Sequence, residues 1–231
     1  MGVSPEASSA EPNAQSKAVP RMTAAELGRR LRDAIMSGQL VPNQRLVEAD
    51  LAAEYGASRG NVRIALTELS SEGLIERVQN RGARVRAVSP DEAVEITEVR
   101  GALESLCARK AAERVSQSEI ELLRDIGRRM TQAVERGDRD AYSAGNTELH
   151  ALIIKVSGQQ VAAETINRLR SQAVRYQYRL AQRPDRPAQS LPQHLSIIDG
   201  ICSQDAEAAA SAMQDHLRSV AAEISATEAS V

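Results

Sequence analysis

The chain has 231 residues, a formal net charge of −2, two cysteines, and neither phenylalanine nor tryptophan. That length holds one or two domains with real cores, and those cores must be built from Leu, Ile, Val, Ala and Met. No apolar run is long enough to span a membrane, and the shortage of aromatic rings argues against stacking on single-stranded nucleic acid.

Residues 1–20 are rich in Ser, Ala, Pro, Glu and Gln, have no apolar segment of the signal-peptide kind, and are expected to form a disordered tail. Residues 21–88 then carry 11 Arg/Lys against 8 Asp/Glu, whereas residues 89–231 carry 17 against 21. A basic module followed by an acidic one fits nucleic-acid contact at one end only, although ordinary surface charge accounts for the difference equally well.

The first module opens with Thr23-Ala24-Ala25-Glu26, a capping-box pattern ahead of Leu27, Leu31 and Ile35, and Gly38 closes that helix. A short second helix is expected from about Val47 to Tyr55, with Leu51 and Ala52 inward. Ser58 is a good N-cap for a third helix, whose Val62, Ala65, Leu66 and Leu69 share one face by i, i+3, i+4, i+7 spacing. Arg59, Gly60, Arg63 and Thr67 fall on the opposite face. The cap also aims the helix N-terminus toward phosphate. After Gly73, Ile75–Gln79 and Ala83–Val88 read as a hairpin around Asn80-Arg81-Gly82, with Ala83, Val85 and Ala87 inward and Arg84 and Arg86 outward. A helix packed on one side and arginine-bearing on the other, followed by a basic hairpin, is the outline of a winged helix-turn-helix that enters a DNA major groove.

Ser89-Pro90 caps the next helix and marks the boundary, with residues 89–91 as linker. From there to about residue 226 only helical periodicity is visible. The stripes are Ile96, Val99, Leu103 and Leu106; then Leu122, Leu123, Ile126, Met130 and Val134; then Tyr142, Leu149, Ile153 and Val156. A fourth runs from Ile166 through Ala173 and Tyr176 to Leu180. The stretch Arg183–Pro192 reads as a loop. Leu195, Ile198 and Ile201 mark a fifth helix, and Ala209, Met213, Leu217, Val220 and Ile224 a last one. About six antiparallel helices make a bundle, so the expected fold is mainly α: a winged helix-turn-helix with a small β-hairpin wing, then an all-α bundle. Cys107 and Cys202 lie inside helical patterns without metal-type spacing, which suits reduced thiols in the cytoplasm.

All three histidines, His150, His194 and His216, lie on apolar stripes of different helices in the second module. A lone inward histidine is ordinarily a satisfied core residue. Three that converge suit a divalent ion such as zinc, nickel or manganese, to which Asn146, one turn before His150, could add an oxygen. On the residues alone both readings stand. Arg100 is the kind of side chain that clamps a carboxylate bidentately, with Arg175 and Arg179 as weaker candidates, although a salt-bridged arginine is the default. A metal with an open position could also serve a hydrolase or lyase fused to the DNA-binding module, but no nucleophile-and-base pair is evident.

The run Ser58-Arg59, Val62-Arg63, Ala65-Leu66, Leu69 and Glu72-Gly73-Leu74-Ile75, with Arg81-Gly82 at the wing turn, resembles the DNA-reading signature of the GntR family of bacterial transcription regulators. Val99-Arg100, Leu103-Glu104, Leu149-His150, His194 and His216 resemble the effector domain of its FadR-type subfamily, the all-helical FCD domain. The resemblance covers about residues 22–224. It implies a cytoplasmic, homodimeric regulator, a repressor more often than an activator, on a palindromic double-stranded operator. It implies that Ser58, Arg59, Gly60, Asn61 and Arg63 meet the major groove, and that Arg81 and Gly82 reach toward the minor groove. It also implies a divalent metal at the three histidines, beside a small organic or sugar acid as effector. Asn146 stands where an aspartate is usual, and Asn43 replaces a common turn glycine.

Overall fold

In a computed structural model of the chain, residues 22–78 and 82–228 are described; the expected tail and Arg81 lie outside them. Helix α1 (Ala24–Ser37) starts where Thr23 accepts a hydrogen bond from the Glu26 N–H at 3.2 Å, and it stops at Gly38. Strand β1 (Arg45–Leu46), α2 (Glu48–Glu54) and α3 (Arg59–Ser71) follow, then β2 (Ile75–Val78) and β3 (Gly82–Val85). Leu27, Leu31, Leu46, Val62, Leu66 and Val85 form the centre of this module's core.

The hairpin is one strand larger than expected. β1 joins it, giving an antiparallel sheet in the order β1-β3-β2, with Arg45 opposite Arg84 and Glu76 opposite Arg84. A two-residue strand carries no periodicity, so only the pairing reveals it. Asn43 before it has φ 63, the left-handed conformation that a glycine would otherwise supply. The sheet ends at Val85. Ala87 is therefore exposed rather than inward, and Arg86 is half-buried in an ion pair with Glu92.

The second module holds seven helices among the described residues: α4 (Pro90–Arg114), α5 (Gln117–Arg136), α6 (Arg139–Ser157), α7 (Gln160–Gln172), α8 (Val174–Ala181), α9 (Arg186–Cys202) and α10 (Ala206–Glu228). The fourth expected stripe is two helices, α7 and α8, broken at buried Ala173. The expected loop at Arg183–Pro192 is largely the start of α9, whose first turn accepts Pro187 and whose second tolerates Pro192. Most stripes face the core, but Val99, Leu106, Leu122 and Leu195 are exposed.

The modules meet through α8. Val174 packs on the first module's core, and the Tyr176 hydroxyl donates to the Val88 carbonyl at 3.0 Å. Within the bundle α10 lies along α4 and α9. Gly200 makes the α9–α10 approach possible, because a Cβ there would sit 2.7 Å from the Ala209 backbone nitrogen. A backbone atom cannot swing aside as a side chain can. Gly200→Ala is therefore expected to cost about 1–3 kcal/mol through overpacking, read as a lower urea midpoint at unchanged slope; a wild-type midpoint would contradict this packing.

Candidate functional site

On α3, Arg59, Gly60, Arg63 and Thr67 are exposed, while Val62, Ala65, Leu66 and Leu69 are buried beneath them. Ser58 caps the helix by accepting from the Asn61 N–H at 3.1 Å. Arg63 lies 3.2 Å from Glu48 on α2, yet its side chain remains 67% exposed, so this pair is weak and easily exchanged for another anion. Asn61 is differently employed from the expectation. Its side-chain amide donates to the Met22 carbonyl at 2.8 Å, which ties down the chain entering α1. Arg77, on β2, was not among the expected residues. It donates to Thr67 Oγ1 at 2.7 Å and so adds a third guanidinium to the α3 face; alternation puts it on the face of buried Ile75, opposite Ala83, so no local pattern marks it. Gly82 opens β3 with φ 88, and a Cβ there would sit 3.1 Å from the Leu46 carbonyl, so the wing turn needs glycine.

The three histidines do come together. They are 3%, 2% and 5% exposed, and one ring nitrogen from each lies within 4.8 Å of the others. Each Nδ1 has an oxygen partner. His150 Nδ1 meets the Glu104 carboxylate at 2.6 Å, and His216 Nδ1 meets Gln193 Oε1 at 2.9 Å. His194 Nδ1 meets the Tyr142 hydroxyl at 2.9 Å, which lies 2.6 Å from Ser190 Oγ, whose own proton goes to the Arg186 carbonyl. That chain has a direction. Ser190 donates to a carbonyl, so it accepts from Tyr142, and Tyr142 accepts from His194 Nδ1–H. Carboxylate and amide oxygens can only accept, so the other two rings are also protonated at Nδ1. All three Nε2 lone pairs are left bare, the arrangement in which protein oxygens orient metal-binding imidazoles.

Burial holds His194 and His216 well below the usual imidazole pKa. It also lowers His150, against the raising effect of Glu104. The rings are therefore neutral, as coordination requires. Burial by itself would raise the pKa of Glu104. The charge of Arg100, together with the hydrogen bond from His150, overcomes burial and keeps Glu104 well below the usual carboxylate range. Arg100 donates twice to Glu104 Oε1, at 3.0 and 2.8 Å. In the sequence Glu104 is marked only through the family resemblance; the i, i+4 pair Arg100/Glu104 on a buried face is the signal that would have found it.

Arg100 and the three histidines line a cavity of about 110 Å³ together with Asn146, Arg170, Arg186 and, at its rim, Arg139. Arg175 and Arg179 do not line it. They project from α8 into a separate cavity between the modules, because α8 begins a new helix after Ala173 and turns that face away. Among the described residues, four polar side-chain atoms of residues lining the histidine cavity are buried without a hydrogen-bond partner: His194 Nε2, Asn146 Oδ1, Gln177 Nε2 and Arg186 Nη1.

A winged helix-turn-helix joined to a helical domain with a histidine- and arginine-lined pocket defines a class of DNA-binding protein. Residues 23–85 match the bacterial regulatory proteins of the gntR family, and residues 95–219 match the FCD domain. The chain belongs to the GntR family, in the branch with an FCD domain, and is a DNA-binding transcription regulator. It is 28% identical over 195 residues to the HTH-type transcriptional repressor RspR of Escherichia coli (strain K12), covering 84% of this chain and 86% of that one. It is 32% identical over 163 residues to a probable D-xylose utilization operon transcriptional repressor of Paenarthrobacter nicotinovorans, covering 69% and 68%. The fold matches E. coli McbR/YncC with a TM-score of 0.74 at 21% identity, covering 89% of this chain and 98% of that one. A putative transcriptional regulator GntR from Rhodococcus sp. RHA1 gives 0.67 at 21% identity over 87% and 96%. The family and these relatives are regulators rather than enzymes, which sets aside the hydrolase or lyase reading. Among the described residues no helix is long and apolar enough to cross a membrane.

Glu104 is 0% exposed and joins Arg100 to His150. Glu104→Ala strands a buried guanidinium and is expected to cost about 3–5 kcal/mol in chemical unfolding. Glu104→Gln, which keeps an acceptor oxygen, should lose less. Equal losses in the two variants would show that the lost counter-charge rather than the cavity dominates.

Proposed function

We propose that the chain is a cytoplasmic, homodimeric repressor, released from a palindromic operator when a small organic or sugar acid binds beside a divalent metal. The observation that carries this reading is the set of unmet partners at one cavity. His194 Nε2 and Asn146 Oδ1 are buried acceptors and call for a cation; Arg186 Nη1 is a buried donor, 3.7 Å from the nearest Glu223 oxygen, and calls for an anion. His150, His194 and His216 would hold the metal, with Asn146 as a neutral oxygen ligand. Without a carboxylate among these ligands, the set suits zinc or nickel better than manganese. The ion, when bound, supplies a positive charge and an open position for a carboxylate oxygen. Arg186 and Arg170 would receive the rest of the acid, while Arg100 keeps Glu104 and His150 in place.

At the other end, Arg59 and Arg63 would meet base edges or phosphates, with Gly60 allowing close backbone approach and Ser58 aiming the helix end at phosphate. Arg77 would join them, and Arg81 and Gly82 would carry the wing toward the minor groove. Val99 and Leu106, seven residues apart and exposed on α4, supply apolar surface for a second copy. Effector binding would favour a different spacing of the two DNA-binding modules, a population shift that weakens operator affinity.

Arg63→Ala should weaken specific operator binding by about 1–3 kcal/mol, and wild-type binding should fall steeply with salt. The measurement is a fluorescence-anisotropy titration. Wild-type affinity in a folded Arg59→Ala/Arg63→Ala protein would refute the recognition-helix assignment.

Elemental analysis of purified protein should find one divalent ion per chain, lost in His194→Ala and held more tightly in Asn146→Asp. The metal-free protein has a pH signature as well. His194 and His216 titrate below the unfolded value of about 6.5, so the unfolded chain takes up protons that the folded chain refuses. Stability is therefore full above that pH and is lost progressively below it. Metal affinity should fall over the same range. A metal-free wild-type protein that still releases DNA with its effector would remove the ion from this mechanism.

A further inference from the structure

The cavity between the modules, about 150 Å³, is lined by Arg86 from the chain leaving β3, by Arg175 and Arg179 from α8, and, among the described residues, by no carboxylate. Arg86 is held on one side by Glu92, with Glu76 at 4.0 Å, but its Nη1 is buried and has no hydrogen-bond partner. Arg175 Nη1 is likewise buried and unpartnered. Burial and then the like charge of Arg179 lower the pKa of Arg175. The nearest compensation is the C-terminal end of α1, where Arg175 Nη2 lies 3.6 Å from the position of a Cβ on Gly38. A helix end offers half a charge at most, and three guanidinium groups converge here.

We propose that this cavity is a binding site for a small oxyanion, a carboxylate or a phosphate, held between the two modules by Arg86 and Arg175. Two guanidinium groups approaching from different elements suit an anion with oxygens pointing both ways, since each group can donate a charge-assisted pair of hydrogen bonds. The site has a mechanical consequence. Arg86 belongs to the DNA-binding module and Arg175 to α8, and α8 also lines the histidine cavity through Gln177, Leu180 and Ala181. A bound anion would fasten the two modules across their junction, independently of any metal.

The test uses the full chain stripped of metal and dialysed. Inorganic phosphate and succinate are the probes, and sodium chloride at matched ionic strength is the control. Isothermal titration calorimetry should show saturable binding of at least one probe. Thermal unfolding should shift upward with that probe beyond the salt control. Whichever probe binds identifies the phosphate or the carboxylate as the ligand chemistry. Arg175→Gln and, independently, Arg86→Gln should each weaken binding at least about tenfold. Circular dichroism establishes their folding, and Arg175→Lys, which keeps the charge without the fork, should fall between. His194→Ala should bind the probe as wild type does, which separates this site from the histidine cavity. No saturable binding of either probe would overturn the proposal. So would wild-type affinity in both glutamine variants, or binding abolished by His194→Ala alone.

Discussion

The carboxylate of Glu104 has no exposed surface, and much of the helical module is arranged to tolerate it. Arg100, one turn earlier on α4, neutralises one oxygen; His150, on α6, takes the other. An isolated buried carboxylate would be prohibitive, so the trio persists only as a unit. Its consequence reaches beyond stability. By accepting from His150 Nδ1, Glu104 fixes which nitrogen of that ring is bare, and its charge stays close to the pocket without occupying it. The Tyr142–Ser190 relay and Gln193 do the same for the other two histidines with neutral oxygens. Three rings on three helices thus end in one electronic state, although their partners differ.

The pocket's polar lining also explains how the helices pack. A helix that borders a ligand cavity must bury polar side chains on its inner face, so its apolar residues are no longer a guide to orientation. α4 shows this plainly. Ile96, Thr97, Arg100, Glu104 and Cys107 are inward, whereas Val99 and Leu106 are outward. The same constraint accounts for α8, a short helix set at a break. One part of its surface closes the histidine cavity, and another packs on the winged module through Val174 and Tyr176. Changes in either cavity are therefore applied to the same eight residues, which is a physical route for coupling between ligand and DNA-binding module.

Much was legible in the sequence where the signal was local. Thr23, Ser58 and Ser89 each cap the helix they precede, because capping depends on a side chain and an amide three residues away. The α3 stripe was readable because its inner face meets an ordinary apolar core. The three histidines stood out because their spacing matched apolar neighbours, and the structure gathers them. Asn61, Arg175 and Arg179 were less legible. What Asn61 meets is Met22, 39 positions earlier, and what Arg175 meets depends on the turn at Ala173. Nor did periodicity expose β1, which is defined by its partner and not by itself.

By itself the sequence determined the order of modules, the helix caps, the arginine-bearing face of α3 and the inward placement of His150, His194 and His216. Those follow from 3.6-residue periodicity and short-range hydrogen bonds, which do not need the rest of the chain. Tertiary structure alone decided which arginine faces which cavity, which nitrogen of each imidazole is bare, and that Glu104 is the group on which His150 depends. These are outcomes of contacts between residues tens of positions apart, where a small rotation of one helix exchanges one partner for another and no local pattern records the choice.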